Sequence, residues 1–409
     1  MQFNYNATLY ALSYALDCVE HDLIGVTTNH GKRIAALSVL LGQAYGLSPL
    51  ELQGLAACAV LHDCALTEYV QEEYHGEFLP ALTALPAHMG QHCRSGERCT
   101  QMLPFGPIVR GAVLYHHENA DGTGPLGKTA GETPLPARII HIADTADAMM
   151  DLSWVDTRKQ TWLHQWLGEK SGTLFDADLA ARFGKITDGL AWSMLRNEKI
   201  DLTLHRLLPG TQMECTPAQL MDFAAVFAAI TDYKSHFTRS HSMGIADKAL
   251  HMARCYGADE ALAAQLYFAG ALHDIGKLVV DRDVLEKPAR LTDAEYRHIQ
   301  THAYYTYQIL SAIPGLEDVT RWASRHHEKL DGSGYPFGLT GNQLDRWDRL
   351  LACLDIYQAL TEDRSYKRSM THGDAVCILR QLAAAGKLDA GICEDIAVQF
   401  APAAAPLPA

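Results

Sequence analysis

The sequence contains 409 residues, 48% of them hydrophobic, and carries a formal net charge of −14. This length is sufficient for two or three domains. The acidic balance argues against a dedicated DNA- or RNA-binding surface, because phosphate contacts require clustered Lys and Arg. The cysteines are scattered and form no CxxC pair, and the first segment does not resemble a signal peptide, so we expect a cytoplasmic protein. The sequence has no long apolar run, which predicts that the chain spans no membrane.

Histidines and aspartates recur along the chain in two matching sets. The first set consists of His30, His62, Asp63, His92, His116, His117 and Asp144. The second set consists of His241, His273, Asp274, His302, His326, His327 and Asp355. The intervals between landmarks are 32, 30, 24 and 27 residues in the first set and 32, 29, 24 and 28 in the second. A constant offset of 210 or 211 residues indicates a duplicated domain.

The duplication divides the chain into two copies of one domain. The first copy is predicted to span residues 1–205 and the second to span 223–400, with a linker at 206–222 and a flexible tail at 401–409. Apolar residues around the landmarks recur at helical spacing, and alternating strand patterns are scarce. The sequence therefore predicts an all-α protein made of two tandem helical bundles.

Local signals place some landmarks on helices and others beside loops. The glycine-containing segments Asp121–Gly124 and Asp331–Gly334 predict loops directly after the paired histidines of each copy. Thr292 followed by Glu295 predicts a capping box at the start of the helix that carries the third histidine of the second set. In that helix Ile299, Tyr304 and Ile309 are expected on the buried side.

The residue types of both sets are those of a metal site. Neutral imidazoles and carboxylates together favour first-row metals such as iron, manganese or zinc. Seven candidate ligands per set exceed what one tetrahedral zinc ion uses. They predict two divalent transition metal ions per site, iron or manganese first, with nickel, zinc or magnesium as alternatives. Two ions about 3.5–4 Å apart that share a bridging water are suited to phosphodiester hydrolysis.

Two motifs of the second set resemble those of the HD-GYP family, a subgroup of the HD phosphohydrolases that degrades cyclic di-GMP in bacteria. The motifs are HDIGK at 273–277 and HHEKLDGSGYP at 326–336. The similarity extends from about Thr238 to Lys367 and includes KPARLT at 287–292 and DRSYK at 363–367. The resemblance implies that both bundles have the HD-type fold.

The resemblance also implies roles for individual residues. All seven residues of the second set would be metal ligands, with Asp274 as the bridging carboxylate. Lys277 would act in catalysis with Asp274, facing the bridging water and a phosphate; on a regular helix it would share the face of the histidine four residues earlier. Arg364, Lys367 and Tyr335 would bind the substrate.

The first copy is similar to the same family but lacks part of its signature. Leu66 stands where the family has lysine, and Gly124 is followed directly by proline instead of tyrosine. Ser153 and Asp156 occupy the positions of the substrate-binding cations. Because all candidate ligands of the first set are retained, this copy is a second candidate metal site; a regulatory or dimerising role is the alternative. The free cysteines are expected in the core.

The sequence thus predicts a metal-dependent phosphodiesterase that hydrolyses cyclic di-GMP in its second copy. The substrate 3'3'-cyclic GMP-AMP is an alternative, because no residue pattern identifies contacts to the base edges. A non-catalytic nucleotide receptor or scaffold and a general HD nucleotidase or phosphatase are the competing functions. A homodimer and a diguanylate cyclase partner are candidate assemblies, with no DNA, RNA or membrane partner.

Overall fold

The structure, a computed structural model, describes residues 2–24, 27–66, 78–103, 105–209, 213–233, 241–285, 287, 289–362 and 369–402. Within these ranges the regular structure is helical except for two two-residue strands, Gln2–Phe3 and Met213–Glu214. The predicted all-α class is confirmed. No helix of the described ranges is long and apolar enough to cross a membrane.

The chain forms two compact units, Gln2–Met213 and Glu214–Ala409. The division falls inside the segment predicted as a linker, and the first helix of the second unit begins within that segment at Pro217. Of the predicted tail, residues 403–409 lie outside the described residues. The finer limits given to the two copies stay predictions.

The first unit contains eight α-helices in its described residues. They are α1 Tyr5–Ile24, α2 His30–Ala44, α3 Pro49–Val60, α4 Phe78–Gln101, α5 Leu135–Met150, α6 Thr157–Lys170, α7 Ala177–Asp188 and α8 Ile200–Leu207. Two short 3-10 helices, Gly106–Val109 and Trp192–Leu195, lie between them.

The second unit contains nine α-helices in its described residues. They are α9 Pro217–Tyr233, α10 His241–Cys255, α11 Glu260–Leu272, α12 Arg282–Leu285, α13 Asp293–Ser311, α14 Glu317–Ser324, α15 Arg346–Thr361, α16 His372–Ala384 and α17 Ala390–Gln399. Two 3-10 helices are also present, Ile275–Val279 and Gly341–Gln343.

The central helix of the second unit, α11, consists mainly of apolar residues and is covered by neighbouring helices on several sides. It packs against α9 and α10, and its side chains from position 266 to 272 are all buried. Gly270 allows a close approach to α10, since a Cβ there would lie 3.0 Å from Ala246 Cα. Burial of one large side chain such as Phe268 stabilises the fold by roughly 1.5–3 kcal/mol. This packing fixes the end of α11, where two candidate ligands follow.

The predicted capping box at Thr292 is confirmed. The Thr292 hydroxyl accepts a hydrogen bond from the Glu295 backbone N–H, the Glu295 carboxylate accepts one from the Thr292 N–H, and α13 begins at Asp293. The predicted buried side is confirmed at Ile309 and wrong at Tyr304, because Ile309 is buried and the Tyr304 side chain is 46% exposed. The helix boundary was specified locally, whereas the buried face depends on which neighbours pack against α13.

Candidate metal centres

The second unit brings together all seven residues of the second set, mainly at helix ends. His241 is the first residue of α10, and His273 and Asp274 directly follow α11. His302 lies within α13, His326 and His327 lie just after α14, and Asp355 lies within α15. Six of the seven are buried, and His327 is partly exposed. Landmarks from five different helices therefore converge on one small region.

These residues form two separate clusters of potential ligand atoms, and a third cluster of His273, Asp274 and His326 overlaps both. The first consists of His241, His273 and Asp355, and the second of His302, His326 and His327. Within each cluster the ligand atoms lie within 4.8 Å of one another. The remaining carboxylate, Asp274, lies beside both: Oδ2 is 3.1 Å from His273 Nε2, and Oδ1 is 3.3 Å from His302 Nε2.

Backbone contacts orient three of the histidine rings. In His273, His302 and His326, Nδ1 lies 2.6–2.7 Å from the carbonyl oxygen of the residue three positions earlier. A carbonyl can only accept a hydrogen bond, so Nδ1 carries the proton and Nε2 presents its lone pair to the centre. Such contacts fix the tautomer and orientation of metal-binding histidines.

The charge states of Asp274, His302 and His326 suit metal binding. Burial raises the pKa of Asp274, but the nearby His273 and Lys277 outweigh it and hold that pKa well below its usual range. Burial lowers the pKa of His302 to about 4 and also depresses that of His326, so both rings are neutral near pH 7. An ionised carboxylate beside neutral imidazoles is the protonation state that binds divalent cations.

Two buried atoms of the centre make no hydrogen bond in the structure, His273 Nε2 and Asp274 Oδ1. Leaving buried polar atoms without partners costs about 1–3 kcal/mol each. A divalent cation would satisfy both atoms. The residues present therefore fit the metal ions that the sequence predicts.

Glu362, which sequence reasoning missed, contacts His241 at the ring nitrogen opposite to the one that faces Asp355. Its Oε2 lies 3.1 Å from His241 Nδ1, while Asp355 Oδ1 lies 3.3 Å from His241 Nε2. Burial lowers the pKa of His241, but these two carboxylates raise it to about 9, so a proton competes with a metal ion for this ring. Glu362 directly follows α15, and no sequence signal marks its contact with a residue 121 positions earlier.

His273 and Lys277 do not share a regular α-helix, so the helical spacing considered for them does not apply. The helix ends at Leu272, and Asp274 directly precedes the 3-10 helix Ile275–Val279. The Lys277 ammonium consequently contacts Asp274 Oδ2 at 2.5 Å. Lys277 thus lies beside the candidate bridging carboxylate, at the partly exposed edge of the centre.

Of the three predicted substrate-binding residues, the structure describes only Tyr335. Its ring packs against His327, with ring centroids 4.6 Å apart and planes inclined by 37°. Arg364 and Lys367 lie outside the described residues. Their substrate-binding role therefore stays a prediction.

A buried glutamate organises the loop that carries Tyr335. Glu328 is 1% exposed, and its two carboxylate oxygens accept hydrogen bonds of 2.8 Å from the backbone N–H groups of Phe337 and Leu339. Gly334 passes so close to the Glu328 backbone that a Cβ would collide with it. The conformation of this loop therefore requires both the carboxylate and the glycine.

The first unit contains a similar centre. One cluster consists of His30, His62 and Asp144, and a second consists of His92, Cys93, His116 and His117. Asp63 Oδ1 lies 3.2 Å from His92 Nε2 and 3.4 Å from His116 Nε2, which corresponds to the position of Asp274 in the second unit. All seven residues of the first set are therefore together.

The two units differ in the groups around their centres. In the first unit His30 Nδ1 lies 2.6 Å from Asp147, and Arg33 donates two hydrogen bonds to the same buried carboxylate. Leu66, which replaces the lysine of the signature, is buried. Asp156 caps the start of α6 by accepting a hydrogen bond from a backbone N–H. The first copy thus has no lysine at the position that Lys277 occupies beside the candidate bridging carboxylate.

The prediction that the free cysteines lie in the core is wrong for Cys255 and Cys377, which are exposed. It is confirmed for Cys93, which is buried but also lies among potential ligands. Its Sγ lies 3.6 Å from His92 Nε2 and 3.8 Å from His116 Nδ1. Burial raises the pKa of this thiol, but positive charge on the neighbouring histidines lowers it to about 6. Comparison of the two copies could not reveal this residue as a potential ligand, because Ala303 follows the equivalent histidine.

Comparison with known proteins identifies similar sequences and a similar fold. A family model described as "HD domain" matches residues 22–179 and 220–392. The 3'3'-cGAMP-specific phosphodiesterase 1 of Vibrio cholerae is 31% identical over 406 residues, which cover 96% of this chain and 91% of that protein. A cyclic di-GMP phosphodiesterase of Pseudomonas aeruginosa is 35% identical over 144 residues, 34% of each chain.

One solved structure covers both units. The crystal structure of a cyclic GMP-AMP specific phosphodiesterase of V. cholerae, V-cGAP3, matches 98% of this chain and 99% of its own. The TM-score is 0.64 and the sequence identity is 22%. This similarity shows a shared fold, in agreement with the predicted tandem arrangement.

Proposed function

The chain belongs to the HD domain family, and we infer its activity from this family. The function that the second copy supports best is metal-dependent hydrolysis of a phosphodiester bond in a cyclic dinucleotide. One observation carries this proposal: Asp274 lies beside both histidine clusters, 3.1 Å from His273 Nε2 and 3.3 Å from His302 Nε2. A carboxylate in this position can bridge two divalent ions.

We propose two ions per centre, with iron or manganese preferred. Divalent ions held there would supply Lewis-acid charge for the phosphoryl oxygens and a water of lowered pKa. His241, His273 and Asp355 would hold one ion. The three histidines of the other cluster would hold the second, and Asp274 would contact both.

The surrounding side chains would position the substrate. The Lys277 ammonium is 2.5 Å from Asp274 Oδ2 and its side chain is 23% exposed, so it can also reach an oxygen of a bound phosphate. A fixed positive charge there stabilises the negative charge that develops during hydrolysis. Tyr335 packs on His327 and keeps that ring oriented. From the sequence alone, Arg364 and Lys367 are proposed to neutralise the second phosphate.

Between the two candidate substrates, we propose 3'3'-cyclic GMP-AMP ahead of cyclic di-GMP. The sequence motifs alone favoured cyclic di-GMP. The relative named for 3'3'-cGAMP, however, aligns with 96% of this chain, including both copies. The relative named for cyclic di-GMP aligns with 34% of the chain, although at a slightly higher identity of 35%. Cyclic di-GMP therefore remains the second candidate.

A substrate panel tests this proposal. The purified chain, loaded with Fe²⁺ or Mn²⁺, is incubated with 3'3'-cyclic GMP-AMP, cyclic di-GMP, a linear dinucleotide and a phosphomonoester. We expect hydrolysis of the cyclic compounds, fastest for 3'3'-cyclic GMP-AMP. Binding without turnover would support the receptor or scaffold function instead. Turnover of the phosphomonoester alone would support a general phosphatase.

The assemblies and the location predicted from the sequence are carried forward as proposals. A homodimer would appear as twice the chain mass in light scattering. A diguanylate cyclase partner would be tested by direct binding of the two purified proteins. A cytoplasmic location would be tested by fractionation of the producing cell.

A further inference from the structure

The first unit contains a cluster of four potential ligands that has no exact counterpart in the second unit. This thiol cluster consists of His92, Cys93, His116 and His117. Its ligand atoms lie within 4.8 Å of one another, and all members except His117 are buried. Because it combines one thiol with three imidazoles, its donor set differs from the all-histidine cluster of the second unit.

The distances around the sulfur suit coordination of a single ion. Cys93 Sγ lies 3.6 Å from His92 Nε2. His116 Nδ1, which is 3.8 Å from Sγ, also lies 2.6 Å from the Val113 carbonyl oxygen, so this ring presents Nε2 for an ion. With zinc–sulfur and zinc–nitrogen bonds of about 2.3 and 2.0–2.1 Å, ligands of a tetrahedral ion are separated by roughly 3.5 Å. The thiol is therefore close enough to His92 Nε2 for both to bind one ion, and the cluster places the other two histidines beside it.

The second unit shows what the cysteine adds. There the residue after the equivalent histidine is Ala303, which is fully buried, so the corresponding cluster has three histidines only. The same first copy has Leu66 in place of Lys277. The unit that gains a thiol is thus the unit that lacks the lysine beside its bridging carboxylate.

We propose that the Cys93 thiolate is a fourth protein ligand in the thiol cluster and closes the coordination of one zinc-type ion. Structural zinc sites have four protein ligands from cysteine and histidine, whereas catalytic sites keep a position for water. Thiolate also favours zinc over harder ions such as manganese or magnesium. The first copy would then hold an ion that stabilises its bundle and does not hydrolyse a phosphodiester.

Asp63 is the competing group for this position. Its Oδ1 lies 3.2 Å from His92 Nε2 and 3.4 Å from His116 Nε2, so a carboxylate could complete the coordination without sulfur. The two arrangements differ in a measurable property. Sulfur bound to Co²⁺ gives an intense charge-transfer absorption in the near ultraviolet, and a carboxylate does not.

The test uses the full-length chain loaded with Co²⁺, and in parallel with Zn²⁺ for metal analysis. Three proteins are compared: wild type, Cys93→Ala, and Cys58→Ala as the matched control. Cys58 is another buried cysteine of the first unit and belongs to none of the ligand clusters of the described residues. Alanine is tolerated at the equivalent buried position of the second unit, and circular dichroism checks that the variants are folded.

We expect the sulfur-to-cobalt absorption in wild type and in Cys58→Ala and its loss in Cys93→Ala. The Cys93→Ala protein should also bind less zinc than the control. A wild-type spectrum without this absorption, or equal absorption and zinc content in Cys93→Ala, would overturn the proposal. The spectrum does not depend on turnover, so failure here is distinguishable from failure of the proposed activity.

Discussion

Replacing Glu328 by glutamine tests how the loop beside the second centre is held. The carboxylate is buried and accepts 2.8 Å hydrogen bonds from the N–H groups of Phe337 and Leu339. Hydrogen bonds to a charged group contribute about 1.5–3 kcal/mol each, and a buried donor left unpaired costs about 1–3 kcal/mol. Glutamine keeps one acceptor and turns an NH₂ group toward the other N–H. We therefore expect a loss of about 2–4 kcal/mol in the free energy of unfolding of the second unit.

The matched control is Glu118→Gln, because Glu118 is the equivalent buried residue and accepts hydrogen bonds from the backbone N–H groups of Leu126 and Lys128. Urea unfolding of the full-length variants, followed by circular dichroism, measures stability, and hydrolysis of the cyclic dinucleotide measures function. Glu328→Gln should lower turnover more than Glu118→Gln, because only its loop carries Tyr335. A change in stability below about 0.5 kcal/mol, which is typical of surface substitutions, would refute the reasoning. Equal effects of both variants on turnover would refute the link to catalysis.

Three further predictions separate the roles of the two copies and of the cations. His62→Ala combined with Asp63→Ala should leave turnover within about tenfold, roughly 1.4 kcal/mol, while lowering metal content; loss of activity in a folded protein would contradict this. Lys277→Gln should lower kcat, because its charge is needed most in the transition state, and steady-state kinetics would show an unchanged kcat if the assignment is wrong. Arg364→Gln and Lys367→Gln should raise KM for the cyclic substrate with metal content unchanged; an unaltered KM would place both cations outside the site.

The duplication and the ligand sets could be predicted from the sequence because ligand chemistry leaves few alternatives. Histidines and aspartates at repeated intervals have no common packing explanation, so their recurrence indicated the centres without any knowledge of helix packing. The capping box at Thr292 was equally readable, because a cap depends on residues within one turn. Sequence reasoning works well where the determining residues are local or repeated.

Features that depend on close approach between distant segments could not be predicted. The helix before Lys277 ends at Leu272. Further along, Gly276 passes so close to the backbone of His302 that a Cβ would collide with it. Glu362 contacts His241 across 121 positions, and Cys93 lies beside histidines from two segments. The sequence contains these residues but not the packing that brings them to the centres.

The measurement that tests the central claim most directly is turnover of 3'3'-cyclic GMP-AMP by the Asp274→Ala variant, after Fe²⁺ or Mn²⁺ has been restored. Because Asp274 lies beside both histidine clusters, its loss should remove several kcal/mol of transition-state stabilisation, more than about a thousandfold in kcat/KM. The metal content of the variant should fall in the same preparation. Near-normal turnover by folded, metal-loaded Asp274→Ala would contradict the assignment of this centre as the site of hydrolysis.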